Sequence, residues 1–258
     1  MWSNKIIIKT TKQIEIIRDS GKYLTELLYL VRDFVKPWVV SKDIERFAEE
    51  YINKNKVKWA FKWYQWFPAN LCISVNDCLV HGEPSNYIMQ DQDLLKIDAG
   101  INYKWWISDA AFTMIVGWDN KKSANKTNLV KTCKLALDNW VTKIQIGNSL
   151  FDYSKIVHKT TIDNNLQVIK NLTGHWVWKL VHEAPRIYNY PVEDSRMITI
   201  KPGMVLALEP IIAVKSKKVV DIKKWKWDLV TEKGDLWSQW EYTVAITENG
   251  AEIIAGIK

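Results

Sequence analysis

The sequence predicts an α+β fold made of two similar halves. Helix-like segments followed by strand-like segments occur twice along the 258 residues, and a patch rich in lysine and asparagine at 119–128 separates the two runs. A chain of this length fits one large domain. We therefore predict a single domain over residues 1–258, with approximate halves at 1–122 and 123–258.

Two helices are predicted at the start of the first half. Thr10 and Gln13 match a capping box, and apolar residues then keep helical spacing over 11–35. The sequence KPW at 36–38 breaks this helix. Ser41 is the predicted cap of the second helix. The apolar face of that helix carries Ile44, Phe47, Ala48, Tyr51 and Ile52.

Strands complete the first half, and the order then repeats. The segment "NLCISV" is typical of a strand, and "DLLKIDAG" with "DAAFTMIVG" is typical of a hairpin. Helical segments at about 127–144 and 149–164 open the second half. The strand-like segments after them are "GMVLALEPIIAV", "KVVDI", "WDLVTEK" and "WEYTVAIT".

The composition excludes a membrane protein. No stretch approaches the roughly 20 apolar residues of a membrane helix, and the N-terminal "MWSNKIIIKTTKQ" lacks a signal peptide's apolar core. Three cysteines without a C-x-x-C pair indicate a reduced, cytoplasmic compartment. The net charge of +7 is spread along the chain. It indicates a solvated surface more than the alternative, a weak attraction to ribosomal or other nucleic acid.

Four carboxylates and one histidine form the candidate site. Asp98 ends one strand of the hairpin and Asp109 begins the next, so we expect both at one end of the hairpin. Glu209 and Glu241 stand within apolar strands, where a carboxylate is costly unless it is paired or bound to metal. His175 adds one nitrogen. Such a set fits two divalent ions, with Mn, Fe(II) or Co favoured and Zn as a further option.

An ordered series of motifs carries a family resemblance. The motifs are "FPANLCISVND" with "VHG", "IDAG", "SDAAFT", "GHWVWK" with "VHEAP", "GMVLALEP" and "SQWEYT". Over nearly its whole length the chain resembles the type I methionine aminopeptidases, which have the pita-bread fold: two pseudo-symmetric α+β halves whose antiparallel sheets enclose a dinuclear metal site.

The resemblance implies a role for each site residue. The implied metal ligands are Asp98, Asp109, His175, Glu209 and Glu241. The implied residues of the substrate pocket are Tyr64, Phe67, Cys72, His81, His182 and Trp227. The implied reaction removes the initiator methionine of a nascent polypeptide with a small second residue, through attack by a metal-bound hydroxide. Glu209 would be the general base, His182 would face the oxyanion, and His81 would orient the scissile amide. The family also implies a monomer.

Three rival interpretations stay open at this point. A prolidase or proline aminopeptidase shares the fold and ligands but usually carries a separate preceding domain, for which little room remains before Asp98. Type II methionine enzymes carry an insertion between the second histidine and the first glutamate, whereas His182 and Glu209 are only 27 residues apart. A non-catalytic relative that binds ribosomes or RNA would be expected to lose ligands, and all five are present.

The tryptophans are an anomaly. Glycine is low, at 10, and tryptophan is high, at 15. Twelve tryptophans fall where the family has glycine or where local chemistry favours it: Trp38, Trp59, Trp63, Trp66, Trp105, Trp106, Trp118, Trp140, Trp176, Trp178, Trp225 and Trp237. Our hypothesis is that most of these are glycine codons read with the wrong table, because some bacteria decode UGA as glycine; the alternative is a protein that is truly rich in tryptophan. We expect them to be exposed, to crowd the metal cleft or to occupy strained backbone.

Overall fold

A computed structural model describes residues 6–117, 123–217, 219–221, 227, 229–231 and 235–258. The first half contains helices α1 (Thr11–Phe34) and α2 (Ser41–Lys54) and strands β1 (Lys58–Trp59), β2 (Leu71–Val75), β3 (Leu94–Tyr103) and β4 (Trp106–Ile115). The second half contains helices α3 (Ala124–Lys143) and α4 (Leu150–Asp163). Its strands are β5 (Gln167–Val168), β6 (Gly174–Trp176), β7 (Glu183–Ile187), β8 (Val205–Leu208), β9 (Ile211–Ala213), β10 (Val219–Asp221), β11 (Leu229–Thr231), β12 (Trp237–Gln239), β13 (Tyr242–Thr247) and β14 (Gly250–Ala255).

Helix α1 confirms the predicted capping box. The Thr10 side chain accepts a hydrogen bond from the Gln13 backbone N–H, and the Gln13 side chain accepts one from the Thr10 backbone N–H. These two bonds satisfy amides that have no partner inside the helix. The buried face of α1 packs on β3, β4 and β14, so the helix covers the sheet that carries the first two candidate ligands.

The predicted cap of α2 is wrong by one residue. Val40 is the N-cap and offers no side-chain hydrogen bond, whereas Ser41 already lies in the helix. The Ser41 backbone N–H donates to the Tyr87 carbonyl, and its hydroxyl accepts from the Ser85 backbone N–H at 3.3 Å. Hydrogen bonds to Ser85 and Tyr87 therefore hold Ser41 inside the helix, although serine by itself prefers the N-cap position.

The hairpin is longer than the sequence predicted, which moves the two aspartates. Strands β3 and β4 each have ten residues and are joined by a turn at Lys104 and Trp105. Asp98 pairs with Ala111, and Gly100 pairs with Asp109. The carboxylates are thus diagonal neighbours on one face near the middle of the hairpin, not at its end. The predicted strand segment ended at Gly100, whereas β3 continues through residues 101–103.

Two sheets meet at the centre of the molecule. In the first, β3 pairs with β1 and β2 along one edge and with β4 along the other; the second has the order β14-β13-β8-β6-β7. Strand β12 joins β9 and β5 in a third sheet, and β10 pairs with β11. Ala111 and Glu241 exchange backbone hydrogen bonds of 3.3 and 2.9 Å, which link the hairpin to the second half. One large hydrophobic core includes residues from both halves.

Several boundaries and short strands were not predicted. Strands β1, β5, β6, β7, β12 and β14 were missed, because segments of two to six residues carry little periodicity. Only part of the proposed boundary patch, from residue 123 onward, lies among the described residues, and the single-domain assignment stays a prediction. Among the described residues, none of the helices has the length and apolar character needed to cross a membrane.

Four tryptophans occupy left-handed backbone. Trp38, Trp63, Trp66 and Trp105 have φ values of 78°, 71°, 72° and 71°, and all four are exposed, as expected for glycine positions. Trp59, Trp106, Trp140, Trp176, Trp178 and Trp237 do not have positive φ. Trp118 and Trp225 lie outside the described residues.

Three of these tryptophans contradict the expectation of exposure or strain. Trp140, Trp176 and Trp237 are enclosed in the core, and Trp140 packs edge-on against Tyr153 with 4.8 Å between ring centroids. Large apolar rings gain most when they are fully buried, so a fold that can enclose them does so.

Candidate active site

Five strand segments bring the five candidate ligands together. Asp98 and Asp109 come from β3 and β4, and Glu241 lies beside Ala111 of β4 through its backbone. Glu209 directly follows β8, and His175 of β6 pairs with Ala207 of β8. Neighbouring strands thus bring all five side chains together, four of them buried and Glu209 half-buried, although 143 positions separate the first from the last.

The ligand atoms form two overlapping groups. One group contains Asp109, His175 and Glu241, the other contains Asp98, Glu209 and Glu241, and within each the ligand atoms lie within 4.8 Å of one another. His175 Nε2 lies 3.9 Å from both Asp109 Oδ2 and Glu241 Oε1. Because Glu241 belongs to both groups, the arrangement fits two neighbouring cations that share a ligand.

Burial raises the pKa of every carboxyl in the cluster. The pKa of Asp98 rises to about 7, and the pKa values of Asp109, Glu209 and Glu241 rise well above their usual range. Repulsion from neighbouring carboxylates adds to the effect of burial for the last three. The protein alone therefore does not stabilise four negative charges here, and protons or cations must neutralise them.

Orphaned oxygen atoms show that the cluster fits metal ions. Asp98 Oδ1, Asp109 Oδ1 and Glu241 Oε1 are buried and accept no hydrogen bond among the described residues. A buried acceptor without a donor is costly, and a divalent cation bound to these oxygens removes that cost. His175 Nδ1 lies 3.1 Å from the Trp176 carbonyl oxygen, so an Nδ1–H tautomer would leave Nε2 free to bind metal. Burial lowers the pKa of His175 to about 4, which keeps its ring neutral.

Supporting side chains orient the carboxylates, and sequence reasoning missed them. Gln239 Nε2 donates to Glu209 Oε1 at 2.7 Å, and Asn189 Nδ2 donates to the Glu209 backbone carbonyl at 2.7 Å. The Thr243 hydroxyl bonds both the N–H and the carbonyl of Asp109. Gln239 stands inside the motif "SQWEYT", so its position two residues before Glu241 was the available signal.

The predicted pocket residues lie around a cleft that opens onto the cluster. His175 and His182 have ring centroids 4.6 Å apart, and the Tyr64 ring lies 5.5 Å from His182. Trp227 faces Phe67 at 5.7 Å and His81 at 6.2 Å. Cys72 completes the set of predicted residues along the cleft. The sequence did not predict Phe61, Val80, Leu172, Val181, Arg186 and Ile211, which also line it.

Both cleft histidines stay neutral near physiological pH. Burial lowers the pKa of His81, and burial together with the nearby His175 and His81 lowers the pKa of His182 strongly. His81 has a left-handed φ of 58°, held at a turn where the chain returns to the sheet at Gly82. A neutral imidazole can donate through one ring nitrogen and accept through the other, so both rings can hydrogen-bond a substrate amide.

The fold and the cluster define a metallopeptidase class. The family model of metallopeptidase family M24 matches residues 15–248, and the chain belongs to this family. Divalent metal ions are the cofactors that this class implies, in agreement with the carboxylate and imidazole set described above.

Relatives within the family narrow the assignment. The chain is 35% identical over 253 residues to the methionine aminopeptidase of Clostridium perfringens, covering 98% of this chain and 100% of that protein. The solved structure of methionine aminopeptidase from Thermotoga maritima matches with a TM-score of 0.92 at 33% identity, covering 98% and 100% of the two chains. The chain is accordingly a member of the methionine aminopeptidases, and the predicted pita-bread fold is confirmed.

The prolidase likeness extends to the fold alone. The prolidase of Pyrococcus horikoshii matches with a TM-score of 0.74 at 21% identity, and the match covers 98% of this chain but 64% of the prolidase. The methionine aminopeptidases match along their whole length, so they account for the chain better than the prolidase rival does.

Proposed function

We propose that this chain removes the N-terminal methionine from new polypeptides whose second residue is small. Two divalent ions, with Mn, Fe(II) or Co favoured, would be held by Asp98, Asp109, His175, Glu209 and Glu241. The observation that carries the proposal is the pair of overlapping ligand groups at the base of a cleft walled by aromatic side chains. When bound, the ions supply Lewis-acid activation of water and of the scissile carbonyl.

Glu209 is the proposed general base. One of its oxygens, Oε1, accepts from Gln239, which leaves the second oxygen to take a proton from the attacking water. The bond from Asn189 to its backbone carbonyl fixes the residue at the end of β8.

His182 and His81 are the proposed substrate-binding histidines. His182 lies beside His175 at the cluster, so its ring can donate to the oxygen that gains negative charge during attack. His81 lies on the other side of the cleft beside Trp227, where it can orient the scissile amide. Because both rings are neutral, neither needs to lose a proton before it binds the substrate.

Aromatic and sulfur-bearing walls favour a methionine side chain. Phe67 and Cys72 are buried in one hydrophobic cluster against which Tyr64 and Trp227 pack. A straight, polarisable thioether adapts to such a slot and makes favourable contacts with ring edges. We therefore assign these four residues to recognition of the first residue of the substrate. Nascent polypeptide N-termini are then the partners; weak contact with ribosomes, a cytoplasmic location and a monomeric state remain proposals.

Release of free methionine tests the function. The metal-depleted chain is incubated with a peptide beginning Met-Gly-Met, with Mn or Co added or with excess chelator. We expect methionine release only with metal. Release that persists in excess chelator would contradict the metal site. A second peptide carries proline at position two and a first residue other than methionine, and its preferred cleavage would favour the prolidase rival.

A further inference from the structure

A buried lysine lies beside the candidate active site without a role in the proposed reaction. Lys96 of β3 is 1% exposed, and its ammonium donates to the carbonyl oxygens of Asn76 at 2.7 Å and Leu94 at 3.4 Å. The Trp237 ring covers it, with Nζ 4.2 Å from the ring centroid. Among the described residues, the ion pairs do not include Lys96: Asp77 and Asp93 attract its charge, but the groups in contact with the ammonium are backbone carbonyls and an indole face.

This placement is costly for a residue that only fills space. Burial of an ammonium is unfavourable even where carboxylates such as Asp77 and Asp93 attract its charge without forming an ion pair. A methionine has nearly the same length and would fill the volume without that cost. The hydrogen bonds of the ammonium are therefore the feature to explain.

The first of these bonds reaches the start of the segment that carries His81. Asn76 ends the pairing of β2 with a left-handed φ of 52°, and its side chain bonds Asp93 and the Leu94 N–H. The chain then leaves the sheet and returns at Gly82, which bonds Ile73 and the Ser74 hydroxyl. His81, also left-handed, lies immediately before this return.

The Lys96 ammonium thus holds the backbone at Asn76, where the short loop 77–81 leaves the sheet. The bonds of the Asn76 side chain hold the residue to β3, and the middle of the loop is held by backbone bonds of Cys78 to Val75 and of Leu79 and Val80 to Leu229. The Asn76 carbonyl is the first acceptor of the loop, where residues 77–81 begin. Lys96 bonds that carbonyl, and Trp237 of β12 closes the opposite side of the ammonium. Movement of the Asn76 peptide would pass through this loop to the imidazole of His81.

We propose that Lys96 is a positioning residue that acts through His81: its buried ammonium holds the Asn76 peptide and so sets where the His81 ring stands in the cleft. The inference rests on the proposed function, because His81 is assigned there to the scissile amide. Lys96 itself touches neither substrate nor the candidate ligands.

A double-mutant cycle tests this coupling. Lys96→Met, His81→Asn and the double variant are assayed with a Met-Ala peptide at saturating metal. Lys96→Met should lower kcat/KM by about 10-fold, the scale of lost supporting contacts. The double variant should be no slower than His81→Asn, because the lysine acts only through that ring. Multiplied effects in the double variant, or a Lys96→Met value within twofold of the unaltered chain, would overturn the proposal.

A matched control separates positioning from general weakening. Lys126 also donates its ammonium to a backbone carbonyl, that of Gln92, but on a turn that does not carry His81. Lys126→Met should leave kcat/KM within twofold. A loss equal to that of Lys96→Met would count against the proposal.

Hydrogen exchange gives a readout independent of activity. In the metal-free protein, Lys96→Met should speed amide exchange in residues 77–81 while β4 and α1 keep their protection. If Lys96→Met does not fold, Lys96→Leu serves in its place, since it fills apolar volume and likewise removes the N–H donor. Unchanged exchange at 77–81 would reject the inference even if the unaltered chain failed to release methionine, so the two failures are distinguishable.

Discussion

Gln239 donates its side-chain amide to Glu209 at 2.7 Å across 30 positions of sequence. The bond occupies Oε1 and holds the carboxylate in one orientation. Gln239→Leu, which keeps similar bulk, should lower kcat by about 10- to 100-fold, the range typical for lost contacts to metal ligands. Steady-state kinetics at saturating metal measures this. Gln65→Leu, at the rim of the cleft, is the control and should retain kcat. Equal values for Gln239→Leu and the unaltered chain would contradict a role for this bond.

Asp109 has no alternative partner for one oxygen, so metal binding should depend on it. Its Oδ1 is buried without a donor among the described residues. Asp109→Asn should abolish peptidase activity and weaken metal binding in calorimetric titration. Because the change is isosteric and the raised pKa of Asp109 already keeps its carboxyl neutral in the metal-free protein, thermal unfolding of the metal-free variant should be unchanged. Full activity of the Asp109→Asn variant would contradict the two-metal site.

The metal-free protein should lose stability as the pH rises from about 6.5 to about 7. Raised pKa values leave the Asp98 and Asp109 carboxyls protonated in the folded state at a pH where the unfolded chain has released those protons. Unfolding then releases protons, so the free energy of unfolding falls with rising pH. The buried histidines, with lowered pKa values, oppose this trend below their ordinary pKa of 6.5, and Lys96, whose pKa is lowered to about 7, opposes it above that value.

Metal should reverse the direction of this pH dependence. The carboxyls must lose their protons before they bind a cation, so metal affinity and the added stability grow with pH. Thermal midpoints across this window, with and without Mn, provide the measurement. Parallel curves for the two forms would show that the buried cluster does not exchange protons for metal.

Substrate choice should follow the cleft walls. A peptide beginning Met-Ala should be cut well and one beginning Met-Leu poorly, because the position after methionine must fit beside His81 and His182. Trp227→Ala should raise KM for Met-Ala more than it lowers kcat, since the ring contributes binding area rather than chemistry. A kcat loss without a KM change would place Trp227 in the reaction itself.

At the four exposed left-handed positions, tryptophan should give a less stable fold than glycine would. An L-residue at a left-handed position costs roughly 1–2 kcal/mol, a penalty that glycine avoids. Replacement of Trp38, Trp63, Trp66 and Trp105 together by glycine should therefore raise the free energy of unfolding in urea. Phe34→Gly, in helical backbone, is a control and should lower it. The codons at these four positions should read UGA, and a UGG codon would contradict the misreading hypothesis there.

Individual elements show how much of the fold could be predicted from the sequence. Helix α1 was predicted because its capping box and apolar face are both local patterns. The cap of α2 was not, since Ser41 bonds a segment more than 40 positions away. Asp98 was predicted at a strand end, but pairing with β4 extended the strand beyond it.

By itself, the sequence determined the helices, the hairpin, the family and the five residues that gather in the buried cluster, because periodicity and the order of motifs are properties of the linear chain. Only the tertiary structure decided that two ligand groups share Glu241, that buried oxygens lack donors, and that Lys96 and Gln239 hold neighbouring segments. These features depend on distances between atoms that are far apart in sequence. Local propensity does not encode such distances, and they are set when the two sheets pack against each other.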